Sequence, residues 1–134
     1  MTIPPEARSA FIVCTFSMLG KIAAADGAIT PLERKRVENF INSKLELDSK
    51  SSVLALGIFD EAAESPIGLR EYAEKFAETM PNRLVLRDQV VEALIQVSAA
   101  DGVLHPEEQK ALRSAALLLG LSEGAFERMK EKYF

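Results

Sequence analysis

Apolar positions recur along the chain at three- and four-residue intervals, and no stretch alternates with period two for long enough to argue a strand. Near the N-terminus Phe11, Thr15, Met18 and Ile22 fall on one helical stripe, with Ile12, Phe16, Leu19 and Ala23 on the adjacent one. Two neighbouring stripes make a wide apolar face, the mark of a central helix contacted from several sides. This pattern predicts a buried helix over residues 9–25. A second segment behaves alike, with Leu86, Val90, Leu94 and Val97 on one face and Val91 and Ile95 beside them.

Turn chemistry marks the boundaries. Pro4-Pro5 opens the first helix, where a missing N–H costs nothing, and Asp26-Gly27 closes it. Thr30-Pro31-Leu32-Glu33 reads as a capping box: Thr at the N-cap, Pro at the first helical position, Glu two residues further reaching back. That helix is expected to run to about Ser43. Asp48 or Ser49 caps a third helix, broken at Ser65-Pro66. A fourth carries Leu69, Tyr72, Ala73 and Phe76 and stops at Met80-Pro81. The fifth covers about 83–100, the sixth Pro106 to Leu119 with Gly120 just beyond it, and Ser122 caps a last short helix ending near Tyr133. The expectation is an all-α fold in one domain over residues 1–134: a compact bundle of about seven helices joined by short linkers.

The bundle carries an internal duplication. Residues 24–35, AADGAITPLERK, recur 75 positions later as AADGVLHPEEQK at 99–110, with seven of twelve positions identical. Ile29 and Leu104 keep an apolar anchor, whereas Leu32 faces Glu107 in the alignment. The central helices extend the match in character through Phe16/Val91, Leu19/Leu94 and Ile22/Val97. Two copies suggest two pseudo-symmetric helix–loop–helix halves. Each residue of the motif also has a structural occupation: Gly27 and Gly102 for positive φ, Asp26 and Asp101 as acceptors for loop N–H groups, Pro31 and Pro106 to begin the next helix.

Composition narrows the partners. The formal charge is −4, without the basic stripe of a non-specific nucleic-acid binder, so no nucleic-acid partner is expected. The lone cysteine, Cys14, sits in an apolar run and reads as a small buried core residue. That run is about ten residues long, against the ~20 a spanning helix needs, and lacks signal-peptide flanks. No direct membrane insertion and a cytoplasmic location are expected. No Gly-x-Ser-x-Gly, P-loop or dinucleotide fingerprint appears, and the reading is non-enzymatic.

The paired motifs Ala25-Asp26-Gly27…Pro31…Glu33 and Ala100-Asp101-Gly102…Pro106…Glu108 resemble the TerB-like domain of tellurite-resistance proteins. The variant most similar is the N-terminal domain of DjlA-type DnaJ-like co-chaperones, on Phe59…Leu69…Tyr72…Phe76 and the tail Leu117-Leu118-Leu119-Gly120-Leu121-Ser122. The resemblance implies an all-helical fold of about seven helices, a bacterial stress-response or co-chaperone context, and acidic loop residues that hold a metal. The sequence departs from the DjlA pattern in showing no N-terminal membrane helix and no J domain. His105-Pro106-Glu107 is not the His-Pro-Asp of a J domain, so binding of a DnaK-type chaperone through it is not expected.

Asp26, Glu33, Asp101 and Glu108 form the candidate metal set. Each Asp–Glu pair spans seven residues across a loop and the first helical turn, and Ca²⁺ or Mg²⁺ takes several oxygen ligands. The Gly directly after each Asp excludes an EF-hand loop. Both glutamates have a competing occupation as capping-box residues, although His105 is a poorer N-cap than Thr30. Two functions stay open: an interaction module that docks a protein partner or a second copy of itself, and a divalent-metal sensor requiring no other cofactor. For the former, Phe126, Met129, Tyr133 and Phe134 either form a docking patch or pack into the bundle.

Overall fold

The chain, in a computed structural model that describes residues 3, 5–25, 27, 29–45, 47–80, 83–100 and 105–134, builds seven α-helices. The described residues contain no strand. A 3₁₀ turn at Pro5–Ala7 leads into α1 (Arg8–Ala23), whose two predicted stripes are both buried. Having no polar face to turn to water, α1 becomes the axis of the fold, and α3, α4, α5 and α6 pack around it. Past the end of α1, Gly27 adopts φ 131°, where a side chain is strained, and its N–H bonds the Ala24 carbonyl at 3.0 Å. Gly102 lies outside the described residues.

The tightest crossing is between α1 and α3 (Ser49–Glu64). A Cβ built on Gly20 would stand 2.5 Å from the Phe59 carbonyl oxygen and 3.1 Å from the Ala62 Cβ. Only hydrogen fits there. The Lys21 ammonium, half-buried, donates to the Ser65 carbonyl and so ties the end of α1 to the end of α3.

Helix α2 (Pro31–Phe40) begins at the predicted capping box and was expected to reach Ser43. The α-helix instead passes into a π turn over Ile41–Leu45. There the Ser43 hydroxyl donates to the Asn39 carbonyl at 2.6 Å, a side-chain bond that competes for the helical acceptor. A bidentate Arg34–Asp60 pair, at 3.2 and 3.0 Å, holds α2 on α3. Asp48 caps α3, its carboxylate accepting from the Ser51 N–H at 2.7 Å.

Helices α4 (Leu69–Thr79) and α5 (Arg83–Ser98) follow, the latter with Leu86, Val90, Val91, Leu94, Ile95 and Val97 all buried as the spacing predicts. Helix α6 (Pro106–Leu118) ends in a Schellman motif. The Leu121 N–H bonds the Ala116 carbonyl and the Gly120 N–H the Leu117 carbonyl, both at 3.0 Å, with Gly120 at φ 97°. Ser122 caps α7 (Glu123–Glu131) through the Ala125 N–H. Buried side chains from all seven helices join one hydrophobic core, with Phe11, Phe16, Phe59 and Phe126 its largest members. Burying each such side chain contributes roughly 1.5–3 kcal/mol. None of the described helices is long and apolar enough to cross a membrane.

A buried glutamate pair where the two halves meet

The duplication brings equivalent residues to one place. Glu33 is the third residue of α2 and Glu108 the third of α6, and both are buried. They line the same cavity of about 20 Å³, room for about one water, walled by Leu19, Val37, Phe59 and Val97 from four different helices. Arg36 supplies a positive charge to the same wall. Carboxylates in so apolar a setting are costly unless compensated, and the N-terminal end of each helix offers positive potential to its own glutamate.

The two glutamates are held differently. Glu33 Oε1 accepts the Thr30 N–H at 2.9 Å while the Thr30 hydroxyl accepts the Glu33 N–H at 3.1 Å, which completes the capping box. Glu33 Oε2 is buried with no hydrogen-bond partner. In α6 the N-cap is His105, exposed and making no side-chain cap, and the backbone Gln109 N–H bonds the His105 carbonyl at 2.8 Å.

Of the four candidate ligands, the structure brings Glu33 and Glu108 to one cavity; Asp26 and Asp101 lie outside the described residues. Among the described residues no three His, Cys, Asp or Glu side chains gather to hold a metal ion. Cys14 is buried against the Met18 sulfur at 3.7 Å, and burial pushes its thiol up to about 12, which makes it an inert core residue at neutral pH.

The C-terminal aromatics divide. Phe126 is fully in the core and Met129 packs against it, whereas Phe134 is 44% exposed. The Tyr133 hydroxyl donates to Glu92 at 2.5 Å and accepts from Gln96 at 2.8 Å, which fixes the chain end on the last turns of α5. Sequence periodicity missed this contact, because 41 and 37 residues separate the partners and nothing local announces it.

Comparison with known proteins places this arrangement. A family model described as tellurite resistance protein TerB matches residues 13–131. The chain is similar to the co-chaperone protein DjlA of Haemophilus ducreyi, 33% identical over 122 residues, which are 91% of this chain and 42% of that protein. DjlA of Yersinia pestis is 29% identical over 90% of this chain and 43% of its own length, and DjlA of Escherichia coli K12 is 27% identical over 92% and 45%. The chain therefore spans less than half the length of these curated relatives. No solved structure matches at a comparable level.

Proposed function

Because the chain belongs to the tellurite resistance protein TerB family, we propose that it works as a non-enzymatic protein-interaction module and serves as the regulatory domain of a DnaJ-like co-chaperone. The observation that carries this reading is the shape of the match. Similarity runs through nine-tenths of this chain and less than half the length of these DjlA proteins, so the matched part is one module of those proteins. The fold suits that role: Glu33, Glu108 and Cys14 are buried, while Leu32, Val53, Leu54, Leu84 and Val85 stand more than half exposed on the helix surfaces. A chimera tests it. This chain replaces the matching segment of Escherichia coli DjlA, and co-chaperone activity is compared with that of the unmodified protein. Retained activity supports a transferable module; a folded, expressed chimera without activity overturns it.

A second reading, a divalent-cation site formed by Asp26, Glu33, Asp101 and Glu108, is favoured by the shared cavity and by Glu33 Oε2, a buried oxygen left without a hydrogen-bond donor. A hard cation such as Ca²⁺ or Mg²⁺ bound there would neutralise the acidic cluster and brace the two corners against each other. Calorimetric titration with each ion, against an Asp26→Asn/Asp101→Asn variant, decides it. Binding lost in the variant supports the site. No heat and no melting-temperature shift at millimolar metal removes it.

A further inference from the structure

We propose that the trough between α2 and the C-terminal end of α5 is a docking groove for an amphipathic helix of a protein partner, one with an apolar stripe flanked by carboxylates. The inference rests on the interaction-module reading and assigns it a surface. The trough encloses about 640 Å³. One side is a single face of α2 and its π turn, Leu32, Arg36, Phe40 and Lys44, spaced four residues apart. At ~1.5 Å per residue that face is roughly 18 Å long, which matches three to four turns of a bound helix. The floor is apolar, with Phe40 and Val97, and Leu32 stands on the rim 62% exposed. A helix lying in such a groove anchors itself by residues at i, i+3/i+4 and i+7.

Charge selects the kind of helix. The molecule carries net −4, yet among the described residues the groove is lined by Lys44 and by no aspartate or glutamate; Arg36 borders it as well as the glutamate cavity. The Lys44 side chain is exposed and makes no ion pair with another described residue, so carboxylates on a docked helix complement it. The duplication isolates these residues as particular to the first half. Counting 75 positions on, Leu32, Arg36 and Lys44 become Glu107, Ala111 and Leu119, and Leu119 is buried where Lys44 reaches solvent. The duplicated sequence pattern therefore does not require an apolar rim on α2 or a lysine on its π turn. At the far wall the Tyr133 ring is already fixed by its bonds to Gln96 and Glu92, so the groove is preformed.

The test is an NMR titration of the isotope-labelled 134-residue chain with two synthetic helical peptides of roughly five turns. One carries a leucine stripe flanked by glutamates; in the other lysines replace the glutamates. The acidic peptide is expected to shift the amides of Leu32, Asn39, Ser43 and Ala100. Lys44→Glu and Leu32→Ser, both at exposed positions, should each weaken it about tenfold or more without unfolding the chain. Three outcomes overturn the proposal: equal binding of the lysine peptide, no localised shifts with either peptide, or shifts confined to a smaller groove of about 240 Å³ between α1 and α4, lined by Ala10, Val13, Tyr72 and Phe76. Movement of the same amides on concentrating the chain alone would also overturn it, because a second copy would then be the occupant. The chimera separates the two readings: one that works while neither peptide binds removes the groove alone, and one that fails while the acidic peptide binds removes the co-chaperone role alone.

Discussion

At the start of α2 a threonine hydroxyl and a glutamate close a reciprocal cap; at the start of α6, 75 residues on, a histidine occupies the threonine's place and caps nothing with its side chain. Yet Glu33 and Glu108 are both buried, 9% and 5% exposed, against the same cavity. If the cap alone positioned the glutamate, losing the threonine should free it, and Glu108 is not freed. Both glutamates take the inward position, one with the reciprocal cap and one without it. The outward positions, Thr30 against His105 and Leu32 against Glu107, are where the halves part company. A repeat thus separates what the bundle demands of each corner from what one corner does on its own.

The central helices sharpen the contrast most. Gly20 of α1 corresponds to Ile95 of α5, and both are buried. The first meets the backbone of α3 at a distance only a hydrogen tolerates; the second fills the core with its side chain. Making the halves alike should therefore fail in both directions. Gly20→Ile drives a branched side chain into the Phe59 carbonyl, which is backbone and cannot swing away, and is expected to cost upwards of about 3 kcal/mol. Ile95→Gly loses the buried side chain and adds the helix penalty of glycine, together on the order of 4 kcal/mol. Urea denaturation of both variants checks this. A Gly20→Ile protein of near-parent stability would mean that the α1–α3 approach is not as close as described.

The helix starts and stops were legible because each is written in local chemistry. Asp48 and Ser122 cap, Pro31 and Pro106 begin and Gly120 ends, and all five do so in the structure; α1 stops at Ala23, ahead of the turn at Gly27. Gly20 was not legible, because a glycine inside an apolar helix looks like a weak helix former until the helix that crosses it is known. The π turn at Ile41–Leu45 escaped for a related reason: periodicity of 3.6 and a widened turn share the same apolar positions over so short a stretch. The doubled motif picked out Glu33 and Glu108 as equivalent residues, but that they line one cavity was not legible in the sequence, because it depends on how α2 and α6 pack. The mismatch of Leu32 with Glu107 was visible too. Its meaning needed the three-dimensional fact that α2 turns that face to an open groove.

The caps give a smaller effect with a definite sign. Thr30→Ala removes a reciprocal hydrogen-bonded cap and should cost about 1 kcal/mol, whereas His105→Ala, which removes no side-chain cap, should stay within roughly 0.5 kcal/mol of the parent. His105→Thr installs the first half's cap in the second and is expected to gain up to about 1 kcal/mol. Equal losses for the two alanine variants, measured by the urea midpoint at constant slope, would erase the distinction between the corners.

The smallest effect separates two caps that look alike. Asp48 on α3 and Ser122 on α7 both accept an N–H from three residues ahead, but only Asp48 titrates. The Ser51 N–H, bonded to its carboxylate at 2.7 Å, holds Asp48 below the usual aspartate value, with Arg8 and Lys50 adding to the pull. A carboxylate whose folded value is depressed stabilises the fold above its unfolded value, near pH 4, and loses that contribution as the pH falls through the lower folded value. Fully exposed, Asp48 should contribute little to global stability, so the readout is local. The Ser51 amide proton shift should titrate with a midpoint below the ordinary aspartate value. Asp48→Ser, which gives α3 the cap that α7 already has, should abolish that titration while leaving the Ala125 amide untouched. A Ser51 shift that still titrates in the serine variant would show that the carboxylate capping α3 is not the group being observed.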